Sequence, residues 1–63
     1  MDATSLDLLT ERETADMLRI KPETLTTWRH KGEGPKYVRV GRRTVRYPRE
    51  QIFQFVLASL NKA

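Results

Sequence analysis

Near the start of the chain, a polar stretch gives way to apolar side chains three residues apart, which is typical of a short amphipathic helix. The four residues from Thr10 to Glu13 have the form of a capping box, in which each of these two side chains accepts a hydrogen bond from the other residue's amide. Ala15 and Leu18 then fall on one face. Because Pro22 disfavours a helical conformation at the residue before it, we expect this helix to end near residue 19.

Pro22 suits the first position of a second helix, where its missing N–H leaves no hydrogen bond unmade. Leu25 and Trp28 are spaced i, i+3 and define the buried face, and Gly32 is the residue expected to end the helix. Two short helices joined by about three residues predict a helix-turn-helix. Gly32–Pro35 is interpreted as a turn, because its glycines lack a nucleotide-binding spacing.

Between residues 36 and 47 the apolar side chains alternate with arginines, which is the period of a strand. Two such runs flank Gly41–Arg43: Val38, Arg39 and Val40 before it, and Val45, Arg46 and Tyr47 after it. A loop of even length would place both apolar sets on one face and leave the arginines on the other face or at the tip. We therefore predict a two-stranded wing.

Pro48 can start a third helix, whose apolar stripe of Ile52, Phe53, Val56 and Leu60 is expected to close the core. Phe55 and Leu57 widen the apolar arc to about 200°, more than a surface helix needs. Either the domain wraps most of this helix, or part of the arc contacts another protomer or protein. Phe55 and Leu57 are the candidate self-association residues.

The pattern predicts a small α+β fold, a winged helix-turn-helix made of two short helices, a two-stranded wing and a C-terminal helix. Its 63 residues form one domain, residues 1–63, with an ordered core at about residues 6–60 and frayed ends at 1–5 and 61–63.

The composition argues against several classes of function. There is no cysteine and only one histidine, so thiolate ligands and histidine pairs for metal binding or catalysis are excluded. A domain of this size buries only about 60% of its unfolded surface, too little for a deep catalytic cleft. We expect no enzymatic activity, no metal and no cofactor. Without an apolar run of membrane-spanning length or a signal peptide, a cytoplasmic location and no membrane partner are expected.

The net charge of +4 is unevenly distributed. Residues 1–19 hold five acidic and two basic side chains, whereas residues 20–47 hold eight basic and two acidic ones, a net charge of +6. Such a concentration of positive charge on a small domain favours a polyanionic ligand.

Over about residues 8–57 the chain resembles the MerR-like winged-helix proteins of the excisionase type, which include phage and plasmid excisionases and AlpA-like regulators. The resemblance rests on Leu8–Thr10 with Glu13, Ala15 and Leu18, on Thr24–Arg29, and above all on Gly32–Pro35, Tyr37, Gly41 and Val45–Tyr47. The chain departs from the family pattern at Gln51, where an acidic residue is common, and at Lys21, where a small capping residue is common.

The resemblance implies binding to double-stranded DNA without catalysis, in a bacterial host cell. In the excisionase branch it implies binding near an attachment site, cooperative bending of the duplex and direction of a phage integrase toward excision. Other copies of the chain on adjacent sites are then expected partners. A small transcriptional regulator of the AlpA/MerR-like type is the alternative. A protein-interaction module is the second alternative, favoured by the broad apolar arc from Ile52 to Leu60.

A recognition helix enters the major groove with its N-terminal residues against base edges. On the helix that starts at Pro22, the predicted DNA contacts lie opposite or beside the buried face: Glu23, Thr24, Thr26, Thr27, Arg29, His30 and Lys31. Threonine hydroxyls allow close approach to phosphates, base edges or thymine methyls. Arg29 suits a phosphate, because it lies late in the helix and to one side.

The wing supplies a second set of predicted contacts. Arg42 and Arg43, beside Gly41, can reach into a minor groove, where a narrow A·T-rich geometry deepens the negative potential. Arg39 and Arg46 would flank the phosphate backbone.

Overall fold

A computed structural model describes residues 7–61, and it contains three helices and a three-stranded antiparallel sheet. The elements in chain order are β1 (Leu8–Leu9), α1 (Glu11–Leu18), α2 (Pro22–Lys31), β2 (Val38–Val40), β3 (Thr44–Pro48) and α3 (Arg49–Asn61). The winged helix-turn-helix prediction is confirmed. The frayed ends predicted for residues 1–5, 62 and 63 lie outside the described residues, whereas Asn61 belongs to α3.

The first helix begins with the predicted capping box. The Glu13 amide donates to Thr10 Oγ1 at 3.0 Å, and the Thr10 amide donates to Glu13 Oε1 at 2.9 Å. Arg19 ends the helix in the left-handed region, at φ 60°, which lets the Ile20 amide reach the Ala15 carbonyl at 3.0 Å. Both ends of α1 are therefore set by local hydrogen bonds.

The second helix also has the predicted bounds. Pro22 is its first residue, and Gly32 ends it at φ 75°. The Glu33 amide then donates to the Trp28 carbonyl at 2.7 Å. Gly34 follows at φ 84°, and a Cβ atom built there would lie 3.0 Å from Trp28 Cε3. The turn after α2 therefore needs glycine both for its conformation and for its close approach to the indole ring.

The two-residue strand β1 was not predicted, and it pairs with β3 through Leu8↔Pro48 and Leu9↔Tyr47. The sheet order is β1-β3-β2, so β1 adds a third strand to the two predicted for the wing. The predicted start of the third helix at Pro48 is wrong by one residue. Pro48 ends β3, a position compatible with its missing N–H, and α3 begins at Arg49.

The hairpin register differs from the prediction. Val38 faces Arg46, Arg39 faces Val45 and Val40 faces Thr44, which leaves a three-residue loop, Gly41–Arg43. Because directly opposed residues share a face and the loop length is odd, the two apolar sets lie on opposite faces. Placing them on one face was therefore wrong. Val45 packs against the core beside Arg39, whereas Val38 and Val40 are exposed with Arg46 on the other face.

Five apolar side chains form the buried core, and each comes from a different element: Leu9, Ala15, Leu25, Tyr47 and Ile52. Among the described elements, β2 alone contributes none, which leaves this outer strand of the wing free of the core.

The predicted burial of the C-terminal helix is largely wrong. Ile52 is buried, but the other three members of the predicted stripe are not: Phe53 is 59%, Val56 40% and Leu60 67% exposed. Phe55 instead packs on Trp28, with ring centroids 5.6 Å apart. A helix of 13 residues is about 20 Å long, more than this small sheet and two short helices can cover.

Candidate nucleic-acid interface

The exposed face of α2 is polar and carries four of the seven DNA contacts predicted on this helix. Glu23, Thr27, His30 and Lys31 are all exposed, and their i, i+4, i+7, i+8 spacing places them on one face of the helix. Thr24 is half-buried at the margin of this face. We call these four exposed residues the recognition face. A hydroxyl, an imidazole, a carboxylate and an ammonium group together supply the donors and acceptors that base edges and phosphates need.

Two other predicted contacts, Thr26 and Arg29, turn toward α1 instead. Thr26 Oγ1 donates to Glu11 Oε1 at 3.1 Å, and Arg29 Nε lies 3.4 Å from Glu11 Oε2. The Arg29 side chain is only 14% exposed, and its guanidinium group lies over the Tyr37 ring, 5.9 Å from the centroid. In this structure both side chains are partly buried and engaged with Glu11, so a phosphate contact would have to compete with that carboxylate.

Tyr47 completes a polar cluster around Glu11. Its hydroxyl donates to Glu11 Oε2 at 3.3 Å, so one carboxylate joins α1, α2 and β3. Burial raises the pKa of the Tyr47 hydroxyl, and the negative charge of Glu11 adds to this rise, while Arg29 opposes it. The cluster of Glu11, Thr26, Arg29 and Tyr47 is called the Glu11 cluster below.

Sequence reasoning did not identify Glu11 as more than a helix-terminal acid. Its partners are 15, 18 and 36 residues away along the chain, and no local motif links them. No signal in the sequence alone separates Glu11 from Glu13, the other acidic residue in the first turn of α1. The angle between α2 and the wing strand β3 therefore depends on the contacts of Glu11 with residues distant along the chain.

The tip of the wing presents free positive charge. Arg42 and Arg43 are exposed beside Gly41, which has φ 75°. Within residues 7–61 neither arginine makes an ion pair or a side-chain hydrogen bond. Their guanidinium groups are therefore available to an external anion.

The other two wing arginines lie on opposite faces of the hairpin. Arg39 lies over the Tyr37 ring, 5.9 Å from the centroid, so that Tyr37 is contacted by both Arg29 and Arg39. Arg46 is half-buried, and its Nη1 donates to the Val45 carbonyl at 2.8 Å. The wing thus has two free arginines at its tip and one partly engaged arginine on each face.

Two other features are absent from the part of the chain that the structure describes. No three His, Asp or Glu side chains there come together as metal ligands. None of the helices within residues 7–61 is both long and apolar enough to cross a membrane.

Comparison with known proteins agrees with the architecture. A family model described as "Helix-turn-helix domain" matches residues 8–59. No curated protein and no solved structure matches the chain significantly. The family match spans α1, α2, the wing and most of α3, and it supports sequence-specific binding of double-stranded DNA. The chain therefore belongs to this helix-turn-helix family of DNA-binding domains.

Proposed function

We propose that the protein is an excisionase, which binds near an attachment site, bends the duplex cooperatively and directs a phage integrase toward excision. The observation that carries the proposal is that one small domain presents both a polar recognition face and, at the tip of the wing, two arginines without an ion-pair partner among the described residues. The residues behind the excisionase resemblance shape this arrangement, because Gly32–Pro35 turns the chain from α2 toward the wing and Gly41 forms its tip.

In the proposed complex, α2 lies in the major groove and the recognition face meets the bases and the phosphates. Thr27 contacts a phosphate or a thymine methyl, Lys31 and His30 contact phosphates, and Glu23 accepts from a cytosine amino group. Arg29 and Thr26 do not contact DNA directly in this complex. Through the Glu11 cluster they hold α2 at its angle.

The wing provides the second contact and the means of bending. Arg42 and Arg43 enter a minor groove, whose narrowing strengthens their attraction, and Arg39 and Arg46 flank the phosphate backbone. Bending a site of 20–30 base pairs costs about 1–6 kcal/mol, and contacts in both grooves can offset that free energy. The proposed role is architectural and non-catalytic, so the integrase carries out all strand cleavage and rejoining.

One domain of this size buries roughly 600–1,000 Å² of protein surface on DNA, which gives modest specificity. Several copies on adjacent sites multiply that specificity. Cooperative binding is therefore part of the proposal.

A transcriptional regulator of the AlpA/MerR-like type uses the same interface and is the alternative role. A protein-interaction module is favoured by one specific observation, the four large apolar side chains left exposed along α3. A DNA-binding protein and a protein-interaction module differ in their response to salt. DNA binding weakens steeply with ionic strength, whereas apolar protein contacts persist.

The test is to mix the purified protein with fragmented DNA of its own replicon and to sequence the fragments retained at moderate salt. Clustered sites beside an integrase attachment site are expected, and enrichment at promoters would favour the regulator instead. A gel-mobility series with the site moved along one fragment then measures bending. Absence of enrichment over random DNA would reject specific recognition and would favour the protein-interaction module.

A further inference from the structure

An apolar stripe runs along the exposed side of α3 and is not used by the proposed DNA interface. It consists of Phe53, Val56, Leu57 and Leu60, whose i, i+3, i+4, i+7 spacing places them on one face. Leu57 is 38% exposed, and the other three members are more so. Phe53 also borders a groove that Leu8, Val38 and Pro48 line on one side and polar side chains at the start of α3 line on the other. We call these four residues the α3 stripe.

The charge distribution narrows the kind of partner that fits the stripe. The chain has 20 charged Lys, Arg, Asp and Glu residues, yet residues 51–60 include none of them. The charges nearest the stripe are at the start of α3, where Arg49 is paired with Asp7 and Glu50 is exposed. The stripe therefore offers no ionic contact to DNA or to a charged peptide, and it presents no like charge that would repel a second copy. The kind of surface that fits the stripe is the apolar face of another helix.

Within the described residues, α3 is also the helix that offers such a counterpart. The exposed sides of α1 and α2 are polar apart from Met17. Stripes with three- and four-residue spacing pack against each other as ridges into grooves, so two copies of α3 fit together. We propose that two copies of this chain pair through their α3 stripes in a two-fold symmetric contact, with the same patch on both protomers.

The structure also changes which residues belong to the self-association surface. Of the two sequence-predicted candidates, Leu57 lies in the stripe. Phe55 does not, because its ring packs on Trp28 within the same chain, and Phe55 serves the fold.

The size of the stripe decides when the pair forms. Four partly exposed side chains bury roughly a few hundred Å² per protomer, whereas stable complexes bury about 1,200–2,000 Å² in total. Pairing is therefore weak between free copies and strong between copies held at neighbouring DNA sites, where the effective concentration is about millimolar. Pairing at neighbouring DNA sites rests on the proposed function, whereas the contact between two α3 stripes does not.

The first experiment tests the contact without DNA. Because the chain has no cysteine, Leu57→Cys introduces a single thiol near the centre of the stripe, and Ala58→Cys introduces one on an exposed position off the stripe. A short bismaleimide is expected to link two Leu57→Cys chains at high protein concentration and to leave Ala58→Cys monomeric. Equal linkage of both variants, or none of Leu57→Cys, would overturn the pairing whatever the DNA role proves to be.

The second experiment measures cooperativity on a duplex with two adjacent sites. The wild type is expected to bind the second site at least about tenfold more tightly than the first. Phe53→Ser combined with Leu60→Ser should abolish this factor while single-site affinity stays within about twofold, and Ala58→Ser should change neither. Cooperativity that survives the double substitution overturns the proposal and assigns the stripe to a different partner. Circular dichroism spectra of the variants check that each is folded.

Discussion

At the scale of single residues, the arginines of this basic chain divide by what they already contact. Arg29 is buried against Glu11 and Tyr37, and Arg49 is paired with Asp7. Arg42 and Arg43 have no such partner within the described residues. Because releasing an arginine from an internal ion pair costs free energy, the unpaired arginines are the ones that neutralise DNA phosphates most effectively.

This division predicts the salt dependence of DNA binding. Replacing both tip arginines, Arg42→Ala with Arg43→Ala, should weaken binding to every sequence and reduce the slope of log K against log salt by about two. Arg12→Ala is the matched control, since Arg12 is exposed on α1 and belongs to neither the recognition face nor the wing. Gel-shift titrations at four salt concentrations measure both slopes. A slope unchanged by the double substitution would exclude the wing from the interface.

The two glycines after α2 give a second prediction at this scale. Both lie in the left-handed region, but only Gly34 is close to a side chain, since open space surrounds the Cβ position of Gly32. Gly32→Ala should therefore cost only the conformational penalty of about 1–2 kcal/mol. Gly34→Ala adds the clash with Trp28 and should lower the free energy of unfolding by at least about 1 kcal/mol more. Urea unfolding compares the two, and equal losses would show that the Trp28 contact relaxes freely.

At the scale of elements, the Glu11 cluster is the contact that fixes the recognition helix against the wing strand. A buried network of this kind is stabilising only when all its polar groups are satisfied, and none of the buried side-chain nitrogen or oxygen atoms in the described residues lacks a partner. Removing a member should therefore lower stability and disturb the relative placement of α2 and β3, the two elements that carry proposed DNA contacts.

Tyr47 makes the cluster sensitive to alkaline pH. Folding raises the pKa of its hydroxyl, so the folded state holds this proton more tightly than the unfolded chain does. The resulting stability is complete below the ordinary tyrosine pKa of about 10 and is lost as the pH rises beyond it. Between about pH 9 and pH 11, Tm should fall less in Tyr47→Phe than in the wild type.

Tyr37→Phe is the control for this pH series, because Tyr37 is exposed and should leave the alkaline loss of the wild type intact. Thermal melts at half-unit pH steps provide the comparison. An identical decline of Tm in the wild type and Tyr47→Phe would mean that burial of Tyr47 does not couple its ionisation to folding.

The elements that the sequence predicts well are those with local signals. The capping box at Thr10, the proline at the start of α2 and the glycine at its end each act within one helical turn. Such signals need no knowledge of the rest of the molecule. The two helices of the helix-turn-helix were therefore predictable almost to the residue.

The features that were predicted wrongly, or not at all, depend on contacts between distant parts of the chain. The wing register depends on whether the loop at Gly41 has an even or odd number of residues, and one residue reverses the face of Val38 and Val40. The two-residue strand β1 is too short to show a period and forms only because β3 lies beside it. An apolar arc of about 200° on α3 indicates burial without saying whether the same chain provides it.

At the scale of the whole molecule, a very small core supports a large charged surface. Five of the six elements contribute one buried apolar residue each, and the packing of these residues must offset the repulsion among the basic side chains gathered between residues 20 and 47. Domains of this size are only marginally stable. A polyanion that neutralises the basic segment therefore stabilises the fold as well as binding to it.

The last prediction follows from this linkage. A ligand that binds only the folded state, at 100 times its Kd, adds about 2.7 kcal/mol of stability. For a domain of about 60 residues each kcal/mol raises Tm by about 4–8 °C, so a duplex carrying the specific site should raise Tm by about 10–20 °C. A scrambled duplex at the same concentration and physiological salt should raise Tm clearly less, because non-specific binding is weaker than specific binding. Equal shifts with both duplexes would mean that the chain reads only the phosphate backbone, and the recognition face of α2 would then lose its proposed contacts with base edges.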